Sequence, residues 1–185
     1  SFEDFVSNTP WSAAFIVYCV TKRGINFPRS AAHTRYSQAI RNGGYPFTAL
    51  DPATTKLQRG DIIVKNRSSN TLTFNSKTWF GYSHGDIVNE VSSIDAEIAG
   101  GNLDDTVKSA RITLSDSKLI NVNRGIPGSY FVVLRPNSLD DARKIANEAV
   151  KQDVLIDKRK ETDKEIAANL DEYYRSANLN PPSIS

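Results

Sequence analysis

Thr9-Pro10-Trp11-Ser12-Ala13-Ala14-Phe15-Ile16-Val17-Tyr18-Cys19-Val20 is the stretch on which the fold turns. From Trp11 to Val20 only Ser12 is clearly polar. A helix apolar on all sides is a buried one. Thr9 suits the N-cap, and Pro10 the first helical position, where a missing N–H costs nothing. Gly24 stands just past the last turn, where helix C-termini often carry glycine. The predicted helix runs from about Pro10 to Lys22. Ser12 falls in its first turn, beside unpaired backbone N–H groups and the positive end of the dipole. That setting stabilises a developing anion and suits a nucleophile with its oxyanion site.

On the N-terminal side, Ser1–Asn8 reads as a lead-in helix or arm. On the other side, Gly24 to Phe27 makes a turn. Ser30 is expected to cap a second helix, roughly Ala31–Arg41, closed by Gly43-Gly44. Tyr45 to Gln58 reads as loop, punctuated by Pro46 and Pro52. Strands begin after Arg59-Gly60-Asp61 with the apolar run Ile62-Ile63-Val64. Asn66 to Tyr82 is polar but contains Phe74, Trp79, Phe80 and Tyr82, and is expected to be a long hairpin or lid. Ser83-His84-Gly85-Asp86-Ile87-Val88 opens the next strand, and Ala96–Ala99 leads into Gly100-Gly101-Asn102. Val107–Leu114 alternates as a half-exposed strand would. Tyr130–Leu134 is a buried strand ended by Pro136.

After Pro136 the pattern becomes helical. Ser138-Leu139-Asp140-Asp141 is a capping-box pattern. Leu139, Ala142, Ile145, Ala146, Ala149 and Val150 keep helical spacing. No Gly or Pro interrupts Ser138 to Asn180, so one long helix or a helical hairpin is expected. Its charged block, Asp157–Glu165, reads as a solvated face, and Tyr173-Tyr174 as core or interface. Pro181-Pro182 starts a tail. Helices, then an antiparallel meander, then helix define an α+β class. The predicted division is a domain over 1–136 and a helical extension over 137–185.

Composition narrows the function. The chain has 185 residues, enough for one domain with a real core. Its 39% hydrophobic and 24% charged content is that of a soluble globular protein. Net charge is +2 with the two signs intermixed, so nucleic acid is not an expected partner. No apolar run reaches the ~18 residues of a membrane span. Residues 11–20 lack the basic flank and cleavage site of a signal peptide. A single cysteine excludes a disulfide framework within the chain and a cysteine-based metal site. Methionine is absent even at position 1, which reads as a processed product or a fragment.

Four patterns recur in order: Pro10-Trp11-Ser12-Ala13-Ala14-Phe15, Arg59-Gly60-Asp61-Ile62-Ile63-Val64, Ser83-His84-Gly85-Asp86-Ile87-Val88, and Gly100-Gly101-Asn102. Together they resemble the CHAP and NlpC/p60 amidase-peptidases, papain-like cell-wall hydrolases, over roughly residues 5–135. Trp11-Ser12-Ala13-Ala14-Phe15, a helix bearing His33 and Tyr36, and Ser83-His84-Gly85-Asp86-Ile87-Val88 together look closest to an uncharacterised bacterial branch of that superfamily, domain of unknown function 2272, with serine where the others have the nucleophilic cysteine. The resemblance implies a papain-like α+β fold in which a buried N-terminal helix packs on an antiparallel sheet. It implies Ser12 as nucleophile, His84 as base and Asn102 as the residue orienting the base. Glu97 is the alternative orienter. Asp86 lies two residues from His84, on the same strand face, and could orient or charge-stabilise it.

A cysteine beside histidine can sit as a thiolate–imidazolium pair, whereas a serine hydroxyl needs its proton taken during attack. Trp11, His33, Tyr36, Trp79 and Tyr82 are the expected substrate-binding residues. No cofactor is implied, and no local spacing supports a metal on His33, His84 and Asp86. Cys19 lies about 10 Å up the helix from Ser12, at ~1.5 Å per residue, and cannot stand in as nucleophile. The expected activity is hydrolysis of an amide bond in peptidoglycan, placed in the periplasm or at the cell wall by the resemblance. The alternative is a catalytically inactive module with a binding or structural role in a phage particle, secreted effector or envelope assembly. The C-terminal helix is then the candidate surface for a protein partner.

Overall fold

The computed structural model describes residues 12–101 and 107–153. The expectations for Ser1–Trp11, for Asn102 and for the chain beyond Asp153 lie outside these residues. The architecture is α+β: a curled antiparallel sheet and three helices. Helix α1 is Ser12–Thr21 and helix α2 is His33–Asn42. Helix α3 occupies 139–153. The strands are β1 (Phe47–Leu50), β2 (Ile62–Asn66), β3 (Ser83–Val91), β4 (Asp95–Gly101), β5 (Val107–Ser115), β6 (Lys118–Leu119) and β7 (Tyr130–Pro136). Their order across the sheet is β1-β7-β2-β3-β4-β5-β6. A meander therefore runs from β2 to β6, and β7 returns to lie between β1 and β2.

Two apolar clusters fill the two faces of the sheet, because strand residues alternate sides. One joins Ile62, Val64, Ile87, Ala99, Phe131 and Leu134 to Phe15, Ile16, Cys19 and Val20 of α1. The other joins Ile63, Val88, Ile98, Val133 and Tyr130 to Leu57, Leu114 and Leu119. Helix α1 is less enclosed than its composition implies. Tyr18 is exposed and carries Lys22, whose Nζ donates to the phenol oxygen at 2.6 Å. A lone exposed tyrosine costs little, since its ring and hydroxyl are each partly satisfied at the surface.

Several local expectations need correction. Helix α2 starts at His33, with Ala32 rather than Ser30 at the cap position; the Ser30 hydroxyl instead accepts from Ala32 N. The expected loop at Tyr45–Gln58 contains β1, which exists because β7 offers it a partner from Phe47↔Pro136 to Leu50↔Val133. Strand β7 does end at Pro136, as expected, and Pro136 is itself the last residue of that ladder. Strand β5 is exposed along most of its middle on both faces, not half-buried. The stretch from Arg67 to Tyr82 has no strand and is an irregular loop.

Helix α3 begins as its sequence signals. Ser138 Oγ accepts from Asp141 N at 3.1 Å, which satisfies one orphan N–H of the first turn. Its Ile145 and Ala149 enter the cluster shared with α1. The helix crosses so close to Gly60 that a Cβ there would lie 2.3 Å from the Ala142 carbonyl oxygen. Gly60 also has φ +90°, so both space and backbone demand glycine. Glu148 of α3 is buried, with Arg23 Nη2 at 2.7 Å and Gln152 Nε2 donating at 2.8 Å. That pair ties α3 to the chain leaving the C-terminus of α1.

The Asp61 of the Arg59-Gly60-Asp61 pattern is a structural residue. It is fully buried and accepts two hydrogen bonds from Arg135 of β7, at 2.9 and 2.7 Å, and one from Gln58 N at 2.8 Å. Burial pushes its carboxyl up, while Arg135 and the Gln58 N–H pull it back. A buried carboxylate stripped of its cation is worth far more as a loss than the pair is as a gain. Arg135→Met should therefore lower unfolding free energy by about 3 kcal/mol in urea titrations. A loss below about 1 kcal/mol, the range of surface pairs, would show that the pair is not a mainstay of the fold.

Candidate functional site

Ser12 opens α1, and its hydroxyl lies 2.6 Å from His33 Nε2. The histidine reaches it from the first residue of α2. On that helix His33, Tyr36, Ser37 and Ile40 share the buried face, at the i, i+3, i+4, i+7 spacing of an amphipathic helix. One turn along, Tyr36 Oη lies 2.6 Å from His33 Nδ1. Ser12, His33 and Tyr36 thus form one hydrogen-bonded chain through both imidazole nitrogens.

Gly85 of β3 makes the chain fit. A Cβ built there would stand 2.6 Å from His33 Nδ1 and 2.7 Å from Tyr36 Oη. Any side chain there would have to displace the His33 ring and the Tyr36 hydroxyl. His84 and Asp86 flank Gly85 and so leave the face that it presents to α2. Their side chains meet each other, with His84 Nε2 2.9 Å from Asp86 Oδ1. They lie over Gly100 of β4, where a Cβ would fall on Asp86 Oδ1 and 3.3 Å from His84 Nε2. The two histidine rings still approach at the start of β3, their centroids 5.8 Å apart.

The base expected for Ser12 was His84; the residue the structure brings to Ser12 is His33. The reason is tertiary: Gly85 admits α2, and His84 is turned toward Asp86. Tyr36, expected to bind substrate, is fully buried against His33 and Phe27. Trp79 is also inside, 2% exposed, with its ring against Phe131 and Phe74 and its Nε1 donating to Thr73 O. It anchors the loop from within and offers no ring to a ligand. Tyr82, by contrast, is 75% exposed and neighbours Phe80, which is equally open. Trp11 and Asn102 lie outside the described residues. Glu97 faces Arg111 at 3.6 Å and has no part in the His84 pair. His33 was expected to bind substrate; the structure instead buries it against Ser12. Its place on the Tyr36–Ile40 stripe is the signal that it points inward.

Electrostatics set the protonation states. Burial lowers the His33 pKa to about 3, with His84 and Arg67 adding to the fall and Asp86 opposing it. His33 is therefore neutral at pH 7. Burial, and then Asp86, raise the Tyr36 hydroxyl well above its usual range. Asp86 Oδ2 is buried without a hydrogen-bond partner among the described residues. A polar depression of about 250 Å³ lies at the other end of α1, lined by Thr21, Gly24 to Phe27 and Arg29. Cys19 is buried in the core, and burial raises its thiol pKa. It cannot serve as a thiolate.

Set beside known proteins, the chain matches over residues 2–161 a family model described as an uncharacterised protein conserved in bacteria, DUF2272. The chain belongs to that bacterial family. No curated protein and no solved structure matches it.

The His33 environment has a consequence for stability. The unfolded chain protonates His33 near pH 6.5 and the folded chain only near pH 3. Between those values the unfolded state binds more protons, so stability falls as pH falls. The full contribution is present above pH 6.5 and drains at up to about 1.4 kcal/mol per pH unit below it. Between pH 7 and pH 5 wild type should lose about 2 kcal/mol more than His33→Gln, read from urea midpoints at both pH values. Parallel losses in the two proteins would show that His33 is protonated when folded.

Proposed function

We propose that the chain is a papain-like acyl hydrolase in which Ser12 is the nucleophile and His33 its immediate base. The observation that carries this reading is the 2.6 Å separation of Ser12 Oγ and His33 Nε2 at the start of a largely buried helix. In the proposed reaction Ser12 Oγ attacks an amide carbonyl carbon and gives its proton to His33 Nε2. The first-turn N–H groups of α1 stabilise the oxyanion. His33 then passes the proton to the leaving amine, and water hydrolyses the acyl-serine by the reverse roles. His84 and Asp86 stand beside this pair as a second hydrogen-bonded couple. The substrate class, an amide bond of bacterial peptidoglycan met in the periplasm or at the cell wall, rests on the resemblance of the four ordered patterns. The exposed Phe80 and Tyr82 beside β3 fit a surface over which a polymer could lie.

A second reading, a binding or structural module without turnover, is favoured by a different observation. His33 is only 4% exposed and holds a proton poorly. A base that resists protonation is a weak acceptor for the Ser12 proton.

One experiment separates the two. The full chain is treated with a fluorophosphonate and, in parallel, incubated with purified peptidoglycan while new amino groups are counted. The hydrolase reading expects labelling at Ser12 and amine release. Ser12→Ala should abolish both, and His33→Ala should reduce them roughly 10²- to 10⁴-fold. Sedimentation with peptidoglycan but no label and no amines, unchanged in Ser12→Ala, would establish the module instead.

A further inference from the structure

We infer that Tyr36 is a positioning residue that holds the proton of neutral His33 on Nε2, so that resting Ser12 accepts a hydrogen bond from the imidazole. The argument is a count of protons. Ser12, His33 and Tyr36 are joined by two hydrogen bonds, both 2.6 Å. Neutral imidazole brings one proton and the two hydroxyls one each. Three protons share two links, so one proton must point out of the chain at one of its ends. If it leaves at Tyr36, that hydroxyl needs another acceptor. Tyr36 is fully buried, and its hydroxyl makes no other hydrogen bond among the described residues. A buried donor without an acceptor bears the full cost of desolvation. The other end, Ser12, is also buried but less completely: it opens α1 and is 4% exposed, against none for Tyr36. The outward proton therefore belongs to Ser12, Tyr36 donates to Nδ1, and Nε2–H donates to Ser12 Oγ.

This arrangement changes what Ser12 offers. Its hydroxyl meets an arriving ligand as a donor, suited to a carbonyl oxygen. Attack by Ser12 needs the opposite tautomer, with a lone pair on Nε2. That form leaves the Tyr36 proton unpaired and is disfavoured on the order of tenfold to a hundredfold. The catalytic consequence rests on Ser12 and His33 being the reacting pair; the position of the proton does not. The depressed proton affinity of His33 keeps the imidazole neutral near pH 7, so the tautomer is well defined there.

The test is a long-range ¹H–¹⁵N spectrum of the full chain labelled at its two histidines, at pH 7. A His84→Asn spectrum assigns the signals. The expected result is a proton on His33 Nε2, with an unprotonated Nδ1 that accepts a hydrogen bond. In Tyr36→Phe, which keeps the ring, the Nδ1 signal should move to the position of a free lone pair. A proton on Nδ1, or an Nδ1 signal that ignores Tyr36→Phe, overturns the inference. If Tyr36→Phe does not fold, the wild-type spectrum decides alone. Fluorophosphonate labelling of the same sample separates the two ideas: an unreactive Ser12 with Nε2–H sinks the hydrolase and leaves the positioning role standing. A reactive Ser12 with Nδ1–H does the reverse.

Discussion

The candidate site depends on a side chain that is missing. At Gly85 the backbone of β3 meets the polar atoms of His33 and Tyr36 at a distance no Cβ allows. Glycine in a strand interior weakens the strand, and it marks places where something must come close. What comes close here is α2. With α2 seated, His33 reaches the start of α1 and the Ser12 hydroxyl is engaged. Gly100 repeats the device on β4, leaving the space in which His84 and Asp86 meet. Two bare positions on neighbouring strands thus admit two polar pairs to the sheet.

Buried charge is handled differently elsewhere. Asp61 has a full set of partners, two from Arg135 and one from the backbone. Glu148 holds Arg23 at ion-pair distance, and its other oxygen takes a hydrogen bond from Gln152. Such pairs add little to net stability, since desolvation offsets most of the attraction, but they punish any arrangement that separates them. Asp86 is less completely served, with one oxygen bonded to His84 and the other unpartnered. Asp86 differs from the structural pairs in its partner, a histidine that stands beside a second histidine, rather than an arginine.

Much of the fold was legible because its signals are local. The apolar run of α1, the β-branched runs of β2 and β7, and the Ser138–Asp141 cap each announce an element within a few residues. The i, i+2 placement of His84 and Asp86 likewise put them on one face. What could not be read depends on distant partners. Phe47-Thr48-Ala49-Leu50 carries no alternation and becomes a strand only because β7 pairs with it. The two residues of β6 are too few for any pattern. Trp79 looked like a ligand platform, yet its indole N–H finds a carbonyl in its own loop, which lets the ring be buried. The choice between His33 and His84 as the partner of Ser12 was invisible for the same reason. It is decided where α2 lands on β3, and that landing is a matter of packing across half the domain.

The place of β7 in the sheet has a consequence for how the chain assembles. Strands β2 to β5 follow one another in sequence and in space, so each can pair soon after it is made. Between β1 and β2 there is instead a gap one strand wide, filled only by β7. Asp61 waits for Arg135, 74 residues downstream, before its charge is balanced. Contacts that close such long loops form slowly, because their entropy must be spent before they return anything. During synthesis, then, β1 and the open edge of β2 remain unpaired until the chain has grown past residue 136. Insertion of that one strand completes the sheet, neutralises its buried carboxylate and leads directly into the helix that covers Gly60.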